Sequence, residues 1–231
     1  MKLPFTITPK SDHLCGRFVA MASPCEILFD TTQMSVVEPI LRLAYEETKR
    51  IEQKYSRYVA NNLMFEINNS HTHSVLIDPE TYQLLTVADT CFKVSDRKFD
   101  ITSGILRKAW TFDGSNNVPS PESVEKLRSF IGWENVSFNE TEVSLPYGFE
   151  LDFGGIGKEY AVNKVASLLT QYLPNMSVLI NFGGDIQVTR PREKMPFWQV
   201  GIDNPVDDNS SALVNIAKGG LATSGDANKY C

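Results

Sequence analysis

The run Leu151-Asp152-Phe153-Gly154-Gly155-Ile156-Gly157-Lys158 constrains this chain more than any other stretch of its 231 residues. Apolar residues lead into three closely spaced glycines. Beyond them Ala161, Val162, Val165, Leu168, Leu169 and Tyr172 recur every three or four positions, the period of one helix face. The expectation is a strand, a glycine turn and a helix. Such a turn lets a ligand approach the backbone, and the helix start offers unbonded amides and a partial positive charge. Lys158 adds a full charge suited to phosphate, and Asp152, across the turn, is an acceptor for a ribose, an adenine or a metal-bound water. The plainer alternative is a strand-to-helix turn with a solvated lysine. The P-loop pattern fails because Asp152 stands where its first glycine is needed, and Gly-x-Gly-x-x-Gly has no match here.

The rest of the chain supplies a mixed set of elements. Residues 25–30 alternate as a short strand, with Ile27 and Phe29 on one face. From 36 to 55 the positions Val37, Ile40, Leu41, Ala44, Thr48, Ile51 and Tyr55 form one helical stripe, and the polar stretch 56–69 reads as a loop. Asp78-Pro79-Glu80 and Ser120-Pro121-Glu122 are helix starts, each with a capping side chain and a proline in the first turn. The first helix buries Tyr82, Leu85, Ala88 and Phe92. The second is expected to bury Val124, Leu127 and Ile131 and to stop at Gly132. Val136-Ser137-Phe138 and Val143-Ser144-Leu145 flank a hairpin turn. Residues 178–180 and 197–202 read as strands, and Gly183-Gly184-Asp185 as a tight hairpin turn or a place of close approach. Thr223-Ser224-Gly225-Asp226 is either an anion-holding or an Asx-type turn. Helices early and antiparallel strands late give an α+β class, and the absence of any Pro-, Gly- or Ser-rich linker favours one continuous domain over residues 1–231.

Charge and cysteine usage narrow the function. Twenty-two Lys and Arg stand against 28 Asp and Glu, for a formal charge of -6, and basic residues nowhere cluster beyond pairs, so no nucleic-acid partner is expected. No apolar stretch approaches the roughly 20 residues of a membrane helix, and residues 1–15 do not form a secretory signal. The sequence as given therefore reads as soluble and cytoplasmic, with no membrane insertion. Cys15, Cys25, Cys91 and Cys231 are far apart and read as free thiols. His71 and His73 have no third ligand nearby and read as a solvated loop pair.

Taken in order, seven segments resemble the FAD:protein FMN transferase family, also called ApbE. They are Met21-Ala22-Ser23; Tyr55-Ser56-Arg57-Tyr58 with Glu66-Ile67-Asn68; Phe99-Asp100-Ile101-Thr102-Ser103-Gly104; residues 151–158; Asn181-Phe182-Gly183-Gly184-Asp185-Ile186; residues 198–205; and Thr223-Ser224-Gly225-Asp226. The resemblance spans about residues 21–230. It implies largely antiparallel sheets with packed helices in a T-fold-like arrangement. It also implies a transferase that splits FAD with Mg2+ and passes FMN, as a phosphoester, to a threonine of an acceptor flavoprotein subunit. It would place Lys158 on the FAD phosphates, Asp152 on the FAD as an acceptor, Met21 and Tyr58 against apolar ring surface, and Phe99, Asp100 and Ile101 along the cofactor. The Gly155 carbonyl is the implied magnesium ligand, since Mg2+ prefers hard oxygens and phosphate. A periplasmic location, as for many members of the family, is implied if a leader has been removed.

Departures from the family pattern keep two other readings open. The pattern continues past Ser-Gly-Asp with a His-containing Asp-Pro-x-Thr-Gly stretch and an Asp and Thr that complete the magnesium site, whereas this sequence ends at Cys231. Truncation at the C-terminus is therefore expected. Glu159 replaces a glycine and Asn163 an aspartate, and a carboxylate beside Lys158 competes for the charge meant for phosphate. A flavin-binding protein without catalysis, or a Mg2+-dependent FAD pyrophosphatase giving FMN and AMP, would fit these departures. With Lys158 read as an exposed first-turn residue, Lys158→Ala is expected to weaken FAD binding far more than it lowers stability.

Overall fold

The structure, a computed structural model, describes residues 3–110, 118–203 and 211–223. In chain order the elements are β1 (Thr6–Pro9), β2 (Leu14–Ala20), β3 (Ser23–Phe29), α1 (Met34–Tyr55), α2 (Leu63–Asn69), β4 (Val75–Leu76), α3 (Pro79–Val94), a 3-10 segment (Ile101–Lys108) and α4 (Pro121–Arg128). A short 3-10 turn (Trp133–Asn135) then leads to β5 (Ser137–Phe138), β6 (Glu142–Ser144), a further 3-10 turn (Phe153–Gly155), α5 (Gly157–Tyr172), β7 (Val178–Phe182), β8 (Asp185–Val188), β9 (Trp198–Asp203), β10 (Ser211–Ile216) and β11 (Gly219–Ala222). The described residues divide into two compact units, one within 1–52 and 158–227, the other within 53–157. The class is α+β, and among the described residues every strand pair is antiparallel.

The first unit is built on a sheet in the order β1-β2-β3-β7-β8-β11. Strand β3 alternates, with Ser23, Cys25, Ile27 and Phe29 buried, as a half-buried strand must. Helix α1 lies on β2, where a Cβ on Gly16 would come within 2.6 Å of Leu41, so only glycine lets helix and strand approach this closely. The stripe read from the sequence is the buried face of α1: Val37, Leu41, Ala44, Thr48 and Ile51 are all fully enclosed. Thr48 is tolerated there because its hydroxyl donates to the Ala44 carbonyl at 2.7 Å, satisfying the polar group within the helix. A further cluster joins Leu179, Ile186 and Val188 to Trp198 and Ile216 of the β9–β10 pair.

Two tight hairpins in this sheet contrast in their chemistry. The β7–β8 turn uses Gly183 (φ 62) and Gly184 (φ 99), whereas the β2–β3 turn places Met21 (φ 52) and Ala22 (φ 54) in the same left-handed region. Both close two-residue loops, Phe182 pairing with Asp185 and Ala20 with Ser23, the type I′ geometry that suits strand twist.

The second unit holds α2, α3, α4 and the sheet β4-β6-β5. Asp78 and Ser120 cap α3 and α4, and the hairpin over 137–144 forms as its pattern indicated. Several expectations need correction. On α3, Tyr82 is only half-buried, and Thr81 and Leu84 are buried beside Leu85, Ala88 and Phe92. The polar stretch 56–69 contains α2: Asn62 caps it by accepting from the Phe65 amide at 2.7 Å, and Met64 and Ile67 are buried. Helix α4 ends at Arg128, and among its described residues none is buried. The chain then reaches Gly132 through i→i+3 turns at Phe130 and Ile131. Residues before the glycine turn form no strand. Leu151 instead exchanges both backbone groups with the Asn68 side-chain amide, at 2.7 and 3.0 Å, so an α2 side chain takes the place of a neighbouring strand. In α5 the expected stripe is buried at Ala161, Val162, Val165 and Leu169, but Tyr172, in its last turn, is exposed.

Ala22→Gly is expected to raise stability by up to about 1 kcal/mol, since the left-handed penalty of roughly 1–2 kcal/mol exceeds the entropic cost of glycine, about 0.5–1 kcal/mol. Gly184→Ala, whose Cβ would fall 2.1 Å from Thr223 Oγ1, is expected to lower it by more than about 1 kcal/mol. Urea unfolding midpoints of the two variants check both signs.

Candidate functional site

In the second unit, six residues meet at a cleft of about 590 Å³: Arg57, Phe99, Asp100, Ile101, Asp152 and Gly155. Asp152 organises it. Its amide donates to the Ile101 carbonyl at 2.9 Å, Oδ1 accepts from the Gly154 amide at 2.9 Å, and Oδ2 lies 2.7 Å from Arg57 Nη1. The carboxylate thus caps the 3-10 turn that carries the glycines. Gly104 makes this approach possible, because a Cβ there would come within 2.5 Å of the Asp152 Cβ. Gly155 is exposed at the opposite side of the turn and lies against the Phe99 ring, where a Cβ would come within 2.9 Å of Cε2.

Asp100 has a different task from Asp152. Oδ1 accepts from the Thr102 amide at 2.8 Å and the Thr102 hydroxyl at 2.6 Å, and Oδ2 accepts from the Trp133 amide at 3.0 Å. Its side chain caps the 3-10 segment and ties it to the turn at Trp133, so it lines the cleft with its acceptors already engaged. Ile101 is buried, and its carbonyl anchors Asp152. Tyr58 is 80% exposed, its hydroxyl 2.8 Å from Arg57 Nη2. Arg57 lies within one of the segments that carry the resemblance, and its position after α1 carries no periodic signal that singles it out.

Met21 and Lys158 belong to the first unit. Met21 is half-buried in the strained β2–β3 turn, and its amide donates to the Glu52 carboxylate. Lys158 Nζ lies 3.1 Å from Asp185 Oδ2. Asp185 is 5% exposed, and Oδ2 has no aligned hydrogen-bond donor, so this contact is ionic. Gly183 presses close, since a Cβ there would meet Ser23 Oγ at 2.8 Å and Lys158 Nζ at 3.9 Å. Thr223 closes the other side, its amide and hydroxyl each 3.2 Å from the Gly184 carbonyl; Ser224, Gly225 and Asp226 lie outside the described residues. Glu159 is the next charge along. Burial raises its carboxyl above the ordinary range, with the Asp185 charge adding to the shift, and its Oε2 is buried without a partner. Cys25, on β3, has its thiol pushed up to about 11 by burial and stays protonated near neutral pH.

The reading of Lys158 as a solvated first-turn residue is therefore corrected: it neutralises a buried carboxylate. His71 and His73 lie in a loop, His71 edge-on to Tyr147 at 5.5 Å. Among the described residues no group of three or more His, Cys, Asp or Glu side chains could hold a metal ion, and no helix is long and apolar enough to cross a membrane.

Lys158→Ala is expected to cost about 1–3 kcal/mol of stability. Breaking a fully buried pair costs about 3–5 kcal/mol, and the figure is reduced here because Lys158 is partly exposed. Adding Asp185→Asn should recover most of the loss, and unfolding curves of the single and double variants test this. For Glu159 the folded state binds the extra proton from pH 4.5 up to its raised value, so its contribution to stability falls as pH rises through that window. Glu159→Gln should therefore gain on the parent protein as pH climbs above 4.5 and then level off, as read from unfolding at a series of pH values.

The model of the ApbE family matches residues 21–231. The chain is 26% identical over 201 residues to an FAD:protein FMN transferase of Klebsiella pneumoniae, covering 84% of this chain and 61% of that relative. It is 22% identical over 226 residues to one of Chlamydia muridarum, covering 90% and 69%. It thus spans about three fifths of the Klebsiella relative's length. The crystal structure of the ApbE protein of Thermotoga maritima superposes with a TM-score of 0.84 at 28% identity, over 93% of this chain and 71% of that one. The flavin transferase ApbE of Vibrio cholerae, in its H257G form, has the same fold, with a TM-score of 0.82 at 18% identity over 94% and 71%.

Proposed function

The chain belongs to the ApbE family, and on that premise we propose that it is an FAD:protein FMN transferase. The observation that supports this reading is the convergence of Phe99, Asp100, Ile101, Asp152 and Gly155, far apart in sequence, on a single cleft. In the reaction proposed, the P–O–P bond of FAD breaks, a threonine oxygen of the acceptor subunit forms the new bond to the FMN phosphorus, AMP departs, and the hydroxyl proton is released.

In this reading the chain's residues mainly bind and orient, which is most of what phosphoryl transfer asks of a protein. Asp152 accepts from the dinucleotide, and the Phe99 and Ile101 edge and the Tyr58 ring supply apolar surface. Lys158 offers charge to the diphosphate. A doubly charged diphosphate attracts an ammonium more strongly than one carboxylate does at equal distance, so the ligand competes with Asp185 for Lys158. A main-chain carbonyl such as that of Gly155, an exposed residue, completed by phosphate oxygens, would fit the hard-oxygen preference of Mg2+. When bound there, the ion would neutralise the diphosphate and ease departure of AMP.

Incubation with FAD, Mg2+ and a redox subunit bearing the acceptor threonine is expected to give a flavin-fluorescent protein band that survives denaturation, with one AMP per flavin attached. Loss of the band when that threonine is replaced by alanine checks the linkage. Intact FAD with no band would contradict the proposal in favour of simple binding, and free FMN with AMP would point to a pyrophosphatase.

A further inference from the structure

Arg57 is one of the most engaged side chains of the cleft. Its guanidinium meets three groups on separate segments: Asp152 Oδ2 at 2.7 Å, the Gly104 carbonyl at 3.3 Å and the Tyr58 hydroxyl at 2.8 Å. Its carbon also stands 5.0 Å from the centre of the Tyr58 ring. Only 18% of the Arg57 side chain is exposed, whereas Tyr58 is 80% exposed. A tyrosine so open gains little from packing, and yet its hydroxyl is held by a charged donor and its ring by a cation. A guanidinium fork suits this work because its donors diverge in one plane, which an ammonium cannot imitate.

We propose that Arg57 is a positioning residue of the flavin cleft, fixing the Tyr58 ring as a preformed stacking surface and the Asp152 carboxylate as a preset acceptor, and so governing affinity for a flavin dinucleotide through these two residues. The physical gain is preorganisation. An exposed tyrosine that already holds its bound orientation loses less rotamer freedom when a flat ring settles on it. The inference rests on the functional reading above.

Equilibrium titration with FAD, read by flavin fluorescence and without Mg2+ so that no turnover intervenes, tests it on five proteins: the parent chain, R57K, R57M, Y58F and R57M/Y58F. R57M is expected to weaken FAD binding about ten- to hundred-fold, the scale of a lost charge-assisted contact. R57K should be intermediate, because an ammonium reaches Asp152 or the Tyr58 hydroxyl but not both. Y58F should weaken binding less than R57M, and the double variant should bind no worse than R57M alone, the mark of two residues acting as one unit. A merely structural arginine would lower the melting temperature but leave the effects of R57M and Y58F on affinity multiplicative. Multiplicative effects, or R57M binding equal to the parent, overturn the proposal. Should R57M not fold, Y58F and R57K binding as the parent does would overturn it equally. If the parent chain binds no FAD, the functional reading falls and this inference with it; if the parent binds and the variants are unaffected, only this inference falls.

Discussion

One carboxylate holds the candidate cleft together. Asp152 is engaged three ways, through its amide to Ile101, through Oδ1 to Gly154 and through Oδ2 to Arg57. Each contact fixes a different piece of chain: the 3-10 segment after Asp100, the glycine turn that leads into α5, and the exit from α1. The two contacts made by the carboxylate are charge-assisted, about twice as strong as neutral ones, so removing it would free the glycine turn and the exit from α1 together, while the backbone bond to Ile101 would remain. The glycines follow from the same constraint. Gly104 is needed because the Asp152 backbone sits almost against it, and Gly155 because the Phe99 ring does.

The charge logic of the other unit is opposite in kind. The Asp152 carboxylate is met by the Gly154 amide and the Arg57 guanidinium, whereas Asp185 is buried with its Oδ2 beside one ammonium and no aligned donor, and Glu159 carries a buried, unpartnered oxygen. A carboxylate in that condition is costly to hold charged, and Lys158 is the group that keeps it tolerable. The lysine that would meet phosphate is thus already paired with Asp185. Affinity for an anion at the start of α5 becomes a difference between two ion pairs, and Glu159 shifts that difference according to its protonation.

Much of this was legible in the sequence where a local rule governs. The apolar stripe of α1, the caps at Asp78 and Ser120 and the hairpin over 137–144 follow from periodicity and capping chemistry, which tertiary contacts left intact. The residues that missed were those whose partners are distant. The polar look of 56–69 concealed α2, whose cap Asn62 and buried pair Met64 and Ile67 make sense only against the rest of the unit. Leu151 reads as a strand residue, but its partner is the side chain of Asn68, and no pattern of period two announces that. The burial of Asp185, and hence the engagement of Lys158, depends on a hairpin some twenty-five residues away. Family resemblance pointed to the segments that carry Phe99, Asp100, Ile101 and Asp152, which line one cleft; the tasks of Arg57 and Asp100 became visible only with coordinates.

The claim on which the account turns is that the bend over residues 152–158 receives the diphosphate of a flavin dinucleotide. A crystal structure of the protein grown with FAD and Mg2+ tests it most directly. The account predicts phosphate oxygens against the 154–158 backbone, with Lys158 swung from Asp185 toward them and an aromatic ring of the ligand beside Phe99 and Ile101. A bend filled by its own side chains, with Lys158 still on Asp185 and the flavin absent or bound elsewhere, would contradict it.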